Sequence, residues 1–358
     1  MMTANTSLKT AAKDALNAPL SVVYWLFFCA FMVALIIIVG AITRLTESGL
    51  SMVEWRAMID MLPPLSHDAW MSEFHLYQQT PEYLQINKGM SLDEFKNIYF
   101  WEWFHRLLGR LVGLAYALPL AYFWLRKKLP NAIKPRLLFF LFLGGLQGFF
   151  GWYMVKSGLI NEPRVSHFRL ALHFGTALVL LVLLWQQALA LWPRSRDLMR
   201  LYFTPLHMRL LPHAWVAFAI VCLTVLYGAF VAGLDAGLIY NEFPLMGGAL
   251  IPSEFMFLKP WWQNFLDNHA TVQWTHRVLG TLSFVAVFAL ALRAVWSKNY
   301  VLVRIGYTMA VVITLQFILG IVTLLTHVQL HAATTHQAGA VATVLVLVTM
   351  LQFLRSQR

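Results

Sequence analysis

Apolar runs of about twenty residues recur along nearly the whole chain, separated by short basic stretches or by longer polar ones. They cover approximately residues 22–43, 100–124, 137–155, 168–191, 213–233, 271–296, 303–326 and 334–354. A helix rises about 1.5 Å per residue, so each run is long enough to cross a hydrocarbon layer of roughly 30 Å. The pattern predicts an all-α integral membrane protein with eight transmembrane helices. The polar stretches between the first and second runs and between the fifth and sixth are the long ones. The loops after the second, fourth and sixth runs are basic: Arg126, Lys127, Lys128, Lys134 and Arg136, then Arg194, Arg196, Arg200 and Arg209, then Lys298 and Arg304. Basic loops stay on the cytoplasmic side, which puts both termini in the cytoplasm and the two long loops outside. The first 20 residues contain Lys9 and Lys13 but no Arg, unlike a transit peptide, and the run behind them is too long for a signal-peptide core.

Composition agrees. Hydrophobic residues make up 59% and charged residues only 12%, about half the charge of an ordinary soluble domain. The net charge of +11 sits in loops between apolar runs and not on a basic soluble module, so it sets membrane orientation and indicates no nucleic-acid partner. The two cysteines, Cys29 and Cys222, both fall inside apolar runs, which excludes a disulfide framework and a thiolate metal site and leaves them as small core residues.

The chain is also duplicated. Trp103-Phe104-His105-Arg106 with Gly109 is repeated as Trp274-Thr275-His276-Arg277 with Gly280. Gly40-Ala41 and Ser48-Gly49-Leu50 match Gly228-Ala229 and Ala236-Gly237-Leu238, and Leu146-Gln147 with Gly151 matches Leu315-Gln316 with Gly320. Each half has four spans, and an even number inserts both halves in the same orientation. The expected architecture is two parallel four-helix bundles related by a pseudo-two-fold axis along the membrane normal. The expected divisions are a cytoplasmic tail at 1–21, an N-terminal half at 22–191, a cytoplasmic linker at 192–212, a C-terminal half at 213–354 and a tail at 355–358. Gly109 and Gly113, and the series Gly144, Gly145, Gly148 and Gly151, are spaced for close helix approach and permit a homo-oligomer.

Four of the twelve histidines, His105, His173, His276 and His336, lie in the first turns of even-numbered spans. All four therefore share one shallow depth near the outer face, two in each half. A single imidazole there reads as a hydrogen-bonded packing residue; four at one depth suit axial ligation of haem iron between apolar helices, one haem per half. A zinc or copper site needs three or four ligands close together, and no local cluster supplies them.

The chain resembles the haem A synthase family over nearly its whole length. The carriers are the stretch from Gly40 to Met52, Glu102-Trp103-Phe104-His105-Arg106, the stretches from Gly148 to Leu159 and from Arg164 to His173, Thr275-His276-Arg277 and Thr335-His336-Gln337. The resemblance implies an oxidoreductase acting on a CH group, which turns a methyl substituent of haem O into the formyl group of haem A. It further implies that His105, His173, His276 and His336 are the iron ligands and that Glu102 is an essential carboxylate. It also implies that haem O synthase and the assembly of cytochrome oxidase are partners, alongside membrane lipid and an electron donor or acceptor. The first outer loop lacks the cysteine pair of some bacterial members, so the chain is similar to the proteobacterial and mitochondrial branch, in a bacterial inner membrane with its haem ligands toward the periplasm. Glu102 faces Gln273 at the equivalent position, and only Glu102 titrates. The N-terminal half is therefore expected to take substrate haem O (His105, His173) and the C-terminal half haem B (His276, His336). The competing reading of Glu102 is an interfacial carboxylate in water.

Other residues are less decided. Arg106 and Arg277 adjoin ligands, and either hold haem propionates or snorkel to the interface. For Arg44 and Arg164 the solvated reading leads. His67 and His75 read as surface residues of the first outer loop, with copper or haem contact as the alternative. His167, His327 and His331 neighbour the ligands without the motif context, and His207 and His213 are cytoplasmic. Trp101, Trp103, Trp152, Trp261, Trp262 and Trp274 form an interfacial belt first and a haem wall second. A dihaem b-type electron-transfer cytochrome of a quinol pathway would use the same histidines without changing a haem, but would not need Glu102 to differ from Gln273. A transporter would place its polar groups at mid-membrane.

Overall fold

The computed structural model describes residues 18–54, 61–158, 165–193, 206–297 and 299–355. Its helices, in order, are α1 (Leu20–Leu45), α2 (His67–Tyr77), α3 (Pro81–Gln85), α4 (Leu92–Leu125), α5 (Lys134–Gly158), α6 (His167–Leu191), α7 (Leu206–Gly233), α8 (His269–Val295), α9 (Tyr300–Leu325) and α10 (Leu330–Arg355), with short turns between them. Eight of them, all but α2 and α3, are long and apolar enough to cross a membrane, as the hydrophobic pattern predicts. Among the described residues no strand is formed.

Side chains set the helix starts. Asn268 accepts from Thr271 N at the head of α8, and Asn299 accepts from Val301 N and Leu302 N at the head of α9, each satisfying amides that a helix leaves open. At the head of α4, Ser91 and Glu94 form a reciprocal capping box. That box starts the second span at Leu92, eight residues before the expected position. At 34 residues α4 is about 51 Å long, more than a membrane needs, so its first turns stand in the outer loop.

Helix neighbours define two rings of four. α1 packs on α4 and α6, and α5 on the same two; α7 packs on α8 and α10, and α9 on the same two. The rings meet where α6 touches α7 and α10, and where α10 touches α1. The main apolar core lies in the middle and at the end away from the long loops. It runs from Val22 to Ile37 on α1 and includes Leu181 and Leu184 on α6, Ala214 on α7, Leu290 on α8, and Leu347 and Met350 on α10. Polar side chains tie that inner end, where Arg136 donates to Gln187 Oε1 at 2.8 Å and Arg293 to His213 Nδ1 at 2.9 Å. Side chains such as Phe31, Leu118, Phe142 and Val311 point outward, as apolar groups facing lipid do.

The two long loops carry structure of their own. The first is built on aromatics: Phe74 and Tyr77 of α2 pack against Phe95 and Tyr99 of α4, with Tyr77 stacked on Phe95 at 5.2 Å between centroids. The second is knotted around Asn264, fully buried, whose amide donates to the carbonyls of Leu258 and Trp261 while its oxygen accepts from Leu258 N and Asn268 Nδ2. Asn264→Leu strands several of these groups at once. A loss of about 2–3 kcal/mol is expected, read as a lower midpoint for thermal unfolding in detergent; an unchanged midpoint would show that the loop does not depend on this side chain.

Candidate functional site

The four histidines that the repeat singles out lie on α4, α6, α8 and α10, near the ends that carry the long loops. Each ring is seated on a glycine of another helix. A Cβ added at Gly40 of α1 would lie 3.2 Å from His105 Nε2, and one at Gly151 of α5 would lie 3.3 Å from His173 Cε1. In the second half a Cβ at Gly228 of α7 would come within 3.2 Å of His276 Cε1, and one at Gly320 of α9 within 2.9 Å of His336 Cε1. A side chain at these positions would press on the imidazole, by a few tenths of an ångström at the first three and by more at Gly320.

The rings of His105 and His173 lie edge to face, with centroids 6.5 Å apart and planes at 77°. Two metal–nitrogen bonds of about 2 Å, with about 1 Å more from each nitrogen to its ring centre, span roughly 6 Å. The pair therefore has the separation of two axial ligands on one iron. His276 donates through Nδ1 to the Thr224 carbonyl at 3.1 Å, which turns Nε2 away as the lone-pair nitrogen, the arrangement that orients a metal-binding imidazole. Gln147 Nε2 donates to the His173 carbonyl at 2.9 Å and fixes that stretch of α6 against α5. Among the described residues no three His, Cys, Asp or Glu side chains converge, so a closed zinc-type cage is not formed there.

The glycine series was expected to bring helices together. At Gly113, Gly144, Gly145 and Gly148 an added Cβ would meet nothing within 4 Å. These positions do not mediate helix contact; with Gly175 of α6, equally clear, they leave unobstructed surface on the helices that carry His105 and His173 and on α5 beside them. Paired imidazoles beside such surface fit a planar metallo-macrocycle held from both sides.

Glu102 lies one turn before His105 and is 2% exposed. Its Oε2 accepts from Ser51 Oγ and from Met52 N, both at 2.7 Å, and its Oε1 accepts from Arg106 at 2.5 Å. Arg106 in turn donates to the carbonyls of Met52 at 2.9 Å and Glu54 at 3.1 Å. The pair thus clamps the start of the first outer loop onto α4. The second half repeats the clamp without a charge. Gln273 Nε2 donates to the Tyr240 carbonyl at 2.9 Å, and Arg277 donates to the carbonyls of Tyr240, Glu242 and Leu245 at 2.8 to 3.0 Å. Glu102 is therefore not an interfacial carboxylate in water, and Arg106 and Arg277 do not snorkel: both arginines direct donors to loop carbonyls.

The remaining expected residues are spread out. Arg44 is not simply solvated; it donates to Asp235 Oδ1 and to the Ala232 carbonyl, both at 2.8 Å, and joins the two halves. His167 pairs with Asp267 at 3.3 Å, so it too bridges the halves. His67 and His75 are exposed on α2, and His327 and His331 are exposed where α9 turns into α10. His213 donates to the Ala286 carbonyl at the far end, away from the four histidines. Arg164 and the His207 side chain lie outside the described residues. Sequence reasoning passed over Ser51, Thr224 and the four seating glycines as parts of the site. The glycines did leave a signal, since Gly40 pairs with Gly228 and Gly151 with Gly320 in the repeat.

Residues 23–348 match the family model described as cytochrome oxidase assembly protein, COX15-CtaA. The protein named heme A synthase in Rhodospirillum centenum is 46% identical over 339 residues, covering 94% of this chain and 89% of that one. Those of the same name in Nitrosospira multiformis and in Wolbachia pipientis from Culex pipiens are 44% and 42% identical, covering 93% and 88% of this chain and 92% of each relative. With eight membrane-crossing helices and a match over nearly its whole length, the chain is a multi-pass membrane protein that belongs to the COX15-CtaA family of cytochrome oxidase assembly proteins.

Proposed function

We propose that this chain is a haem A synthase, an oxidoreductase that converts a ring methyl of haem O to the formyl group of haem A in two oxidations, by way of a hydroxymethyl group. One observation carries the reading: the paired imidazoles of His105 and His173, 6.5 Å apart, in a chain whose relatives bear that name over most of their length. The N-terminal half (22–191) takes the substrate haem on His105 and His173, and the C-terminal half (213–354) holds haem B on His276 and His336. Haem B in that position supplies one-electron transfer. The pseudo-two-fold relation between the halves is supported by their contacts: exchanging the halves turns the α6–α7 contact into α10–α1 and leaves α6–α10 in place.

The asymmetry between Glu102 and Gln273 supports this division of the halves. Glu102 supplies a fixed negative charge beside the substrate, which stabilises positive charge developing next to the ring and orients the oxygen nucleophile. Its proton-handling role shares its two oxygens with three donors, which occupy most of the acceptor sites a carboxylate offers. The basic loops support cytoplasmic termini, with the four histidines on the periplasmic side of a bacterial inner membrane. Haem O, an apolar substrate, is handed over within the bilayer by haem O synthase, and the electrons leave to a separate redox partner.

The test is extraction and chromatography of the haems from purified wild type, His105→Ala and His276→Ala. Wild type is expected to hold haem B together with haem O or A, with the O and A fraction lost mainly in His105→Ala and haem B mainly in His276→Ala. Haem B alone in wild type, from cells that make haem O, would overturn the reading in favour of an electron-transfer cytochrome. Glu102→Gln carrying both haems and forming haem A at the normal rate would remove Glu102 from the chemistry.

A further inference from the structure

The first outer loop buries a second carboxylate that this chemistry has not used. Glu82 is the second residue of α3, the short helix that Thr80 caps and Pro81 begins. It is only 5% exposed, and its Oε2 has no hydrogen-bond partner among the described residues. Its one hydrogen-bonding neighbour is the hydroxyl of Tyr77, which is fully buried and receives Asn87 Nδ2 at 2.8 Å. The charged groups facing it are Glu102 on α4, and Glu47 and Arg44 at the end of α1. The carboxylates repel it, and Arg44, the one cation facing it among the described residues, is already paired with Asp235. Burial first, then Glu102 and Glu47, push its carboxyl up to about 8, against the pull of Tyr77 and Arg44.

We propose that Glu82 is the proton-exchange group of the outer loop, taking up at its unpartnered Oε2 a proton released beside Glu102 and returning it to water at the outer face. One proton binds and one leaves; no electron moves and no covalent bond to carbon changes. The inference rests on the proposed haem oxidation, since turning a methyl into a formyl group with water as the oxygen source, its electrons leaving to the redox partner, releases protons beside the substrate site that Glu102 borders. Glu102, with three donors on it, has little room to store them, whereas Glu82 has an oxygen to spare. Glu82 acts through Glu102 and touches no substrate, so it is a positioning residue for the proton.

The folded state favours the neutral acid. The contribution of Glu82 to loop stability is accordingly whole below the ordinary carboxylate range and is lost as pH rises through about 8. Infrared difference spectroscopy of the purified holoprotein, titrated across that range, tests the protonation directly, beside haem O conversion measured at the same pH values. Wild type is expected to lose a carboxylic acid C=O band near pH 8 and to speed conversion as it does. Glu82→Gln is expected to lack the band, keep its haems, convert severalfold more slowly and show no such limb in its pH profile. Glu82→Asp, which keeps a titrating group if Gln disturbs the loop, is expected to restore a band and part of the limb. A band unchanged in Glu82→Gln, or identical pH profiles, would overturn the proposal. Failure of wild type to convert haem O would instead sink the haem reading, and the infrared titration would still decide whether Glu82 exchanges protons.

Discussion

Arg106→Ala is expected to cost about 3–5 kcal/mol of stability, because it strands the carboxylate of Glu102 without its counter-charge in a site that is 2% exposed. The same change releases the carbonyls of Met52 and Glu54, so the first outer loop loses its anchor together with the ion pair. Glu102→Gln strands the Arg106 guanidinium in turn, but that group keeps the Met52 and Glu54 carbonyls and the new amide can still accept from Ser51 or Met52 N, so a smaller loss of about 1–3 kcal/mol is expected. The double variant Arg106→Ala/Glu102→Gln is expected to be more stable than Arg106→Ala alone, because no unpaired charge remains; the cycle measures that coupling. Arg277→Ala is the internal comparison. It frees the carbonyls of Glu242 and Leu245, while that of Tyr240 keeps Gln273, and it strands no charge, so it should cost less than Arg106→Ala. Denaturation in detergent, followed through the aromatics of the first loop, reads all four. Equal losses for Arg106→Ala and Arg277→Ala would show that the Glu102 charge plays no part in the clamp.

That clamp marks the boundary of what the sequence makes legible. Eight spans are readable because twenty apolar residues in a row have no other low-energy place, and the histidine quartet is readable because even-numbered spans bring their first turns to one depth. The start of α4 was also present, as Ser91 three residues before Glu94, but the apolar run that defines the span begins only at Phe100, where the helix enters the membrane region. The partners of Arg106 and Arg277 were not readable. They are backbone carbonyls of Met52, Glu54, Tyr240, Glu242 and Leu245, and every residue offers such a group whatever its side chain. The same holds for Thr224, which orients His276 through its carbonyl and not its hydroxyl. Arg44 looked solvated because Asp235 is nearly two hundred positions away and only the packing of the two halves joins them. The glycines divide similarly. Spacing alone does not separate Gly151, which seats His173, from Gly148 three residues earlier, which meets nothing.

Gly320→Val is expected to empty the proposed C-terminal haem site while leaving the proposed N-terminal one filled. Gly320 is the tightest of the four seats: a Cβ there falls 2.9 Å from His336 Cε1, 3.5 Å from Nδ1 and 3.6 Å from Nε2, so a branched side chain displaces the ring as a whole. Overpacking of this kind costs about 1–3 kcal/mol of stability, which the helices around it can absorb. The geometric effect is larger, because an axial ligand has to be held within about 0.5 Å of its productive position. Gly320→Ala pushes the same atom by a smaller amount and should weaken the site without emptying it. Gly40→Val does the equivalent at His105 and should remove the substrate haem instead, since its seat is close at 3.2 Å. Gly148→Ala is the control, as it meets no atom within 4 Å and should leave both sites filled. Haem content per chain, with the haems identified after extraction, separates these outcomes. Loss of both haems together in Gly320→Val would mean that the halves fill as one unit; retention of both would mean that His336 holds no iron, and the ligand assignment in the C-terminal half would fall with it.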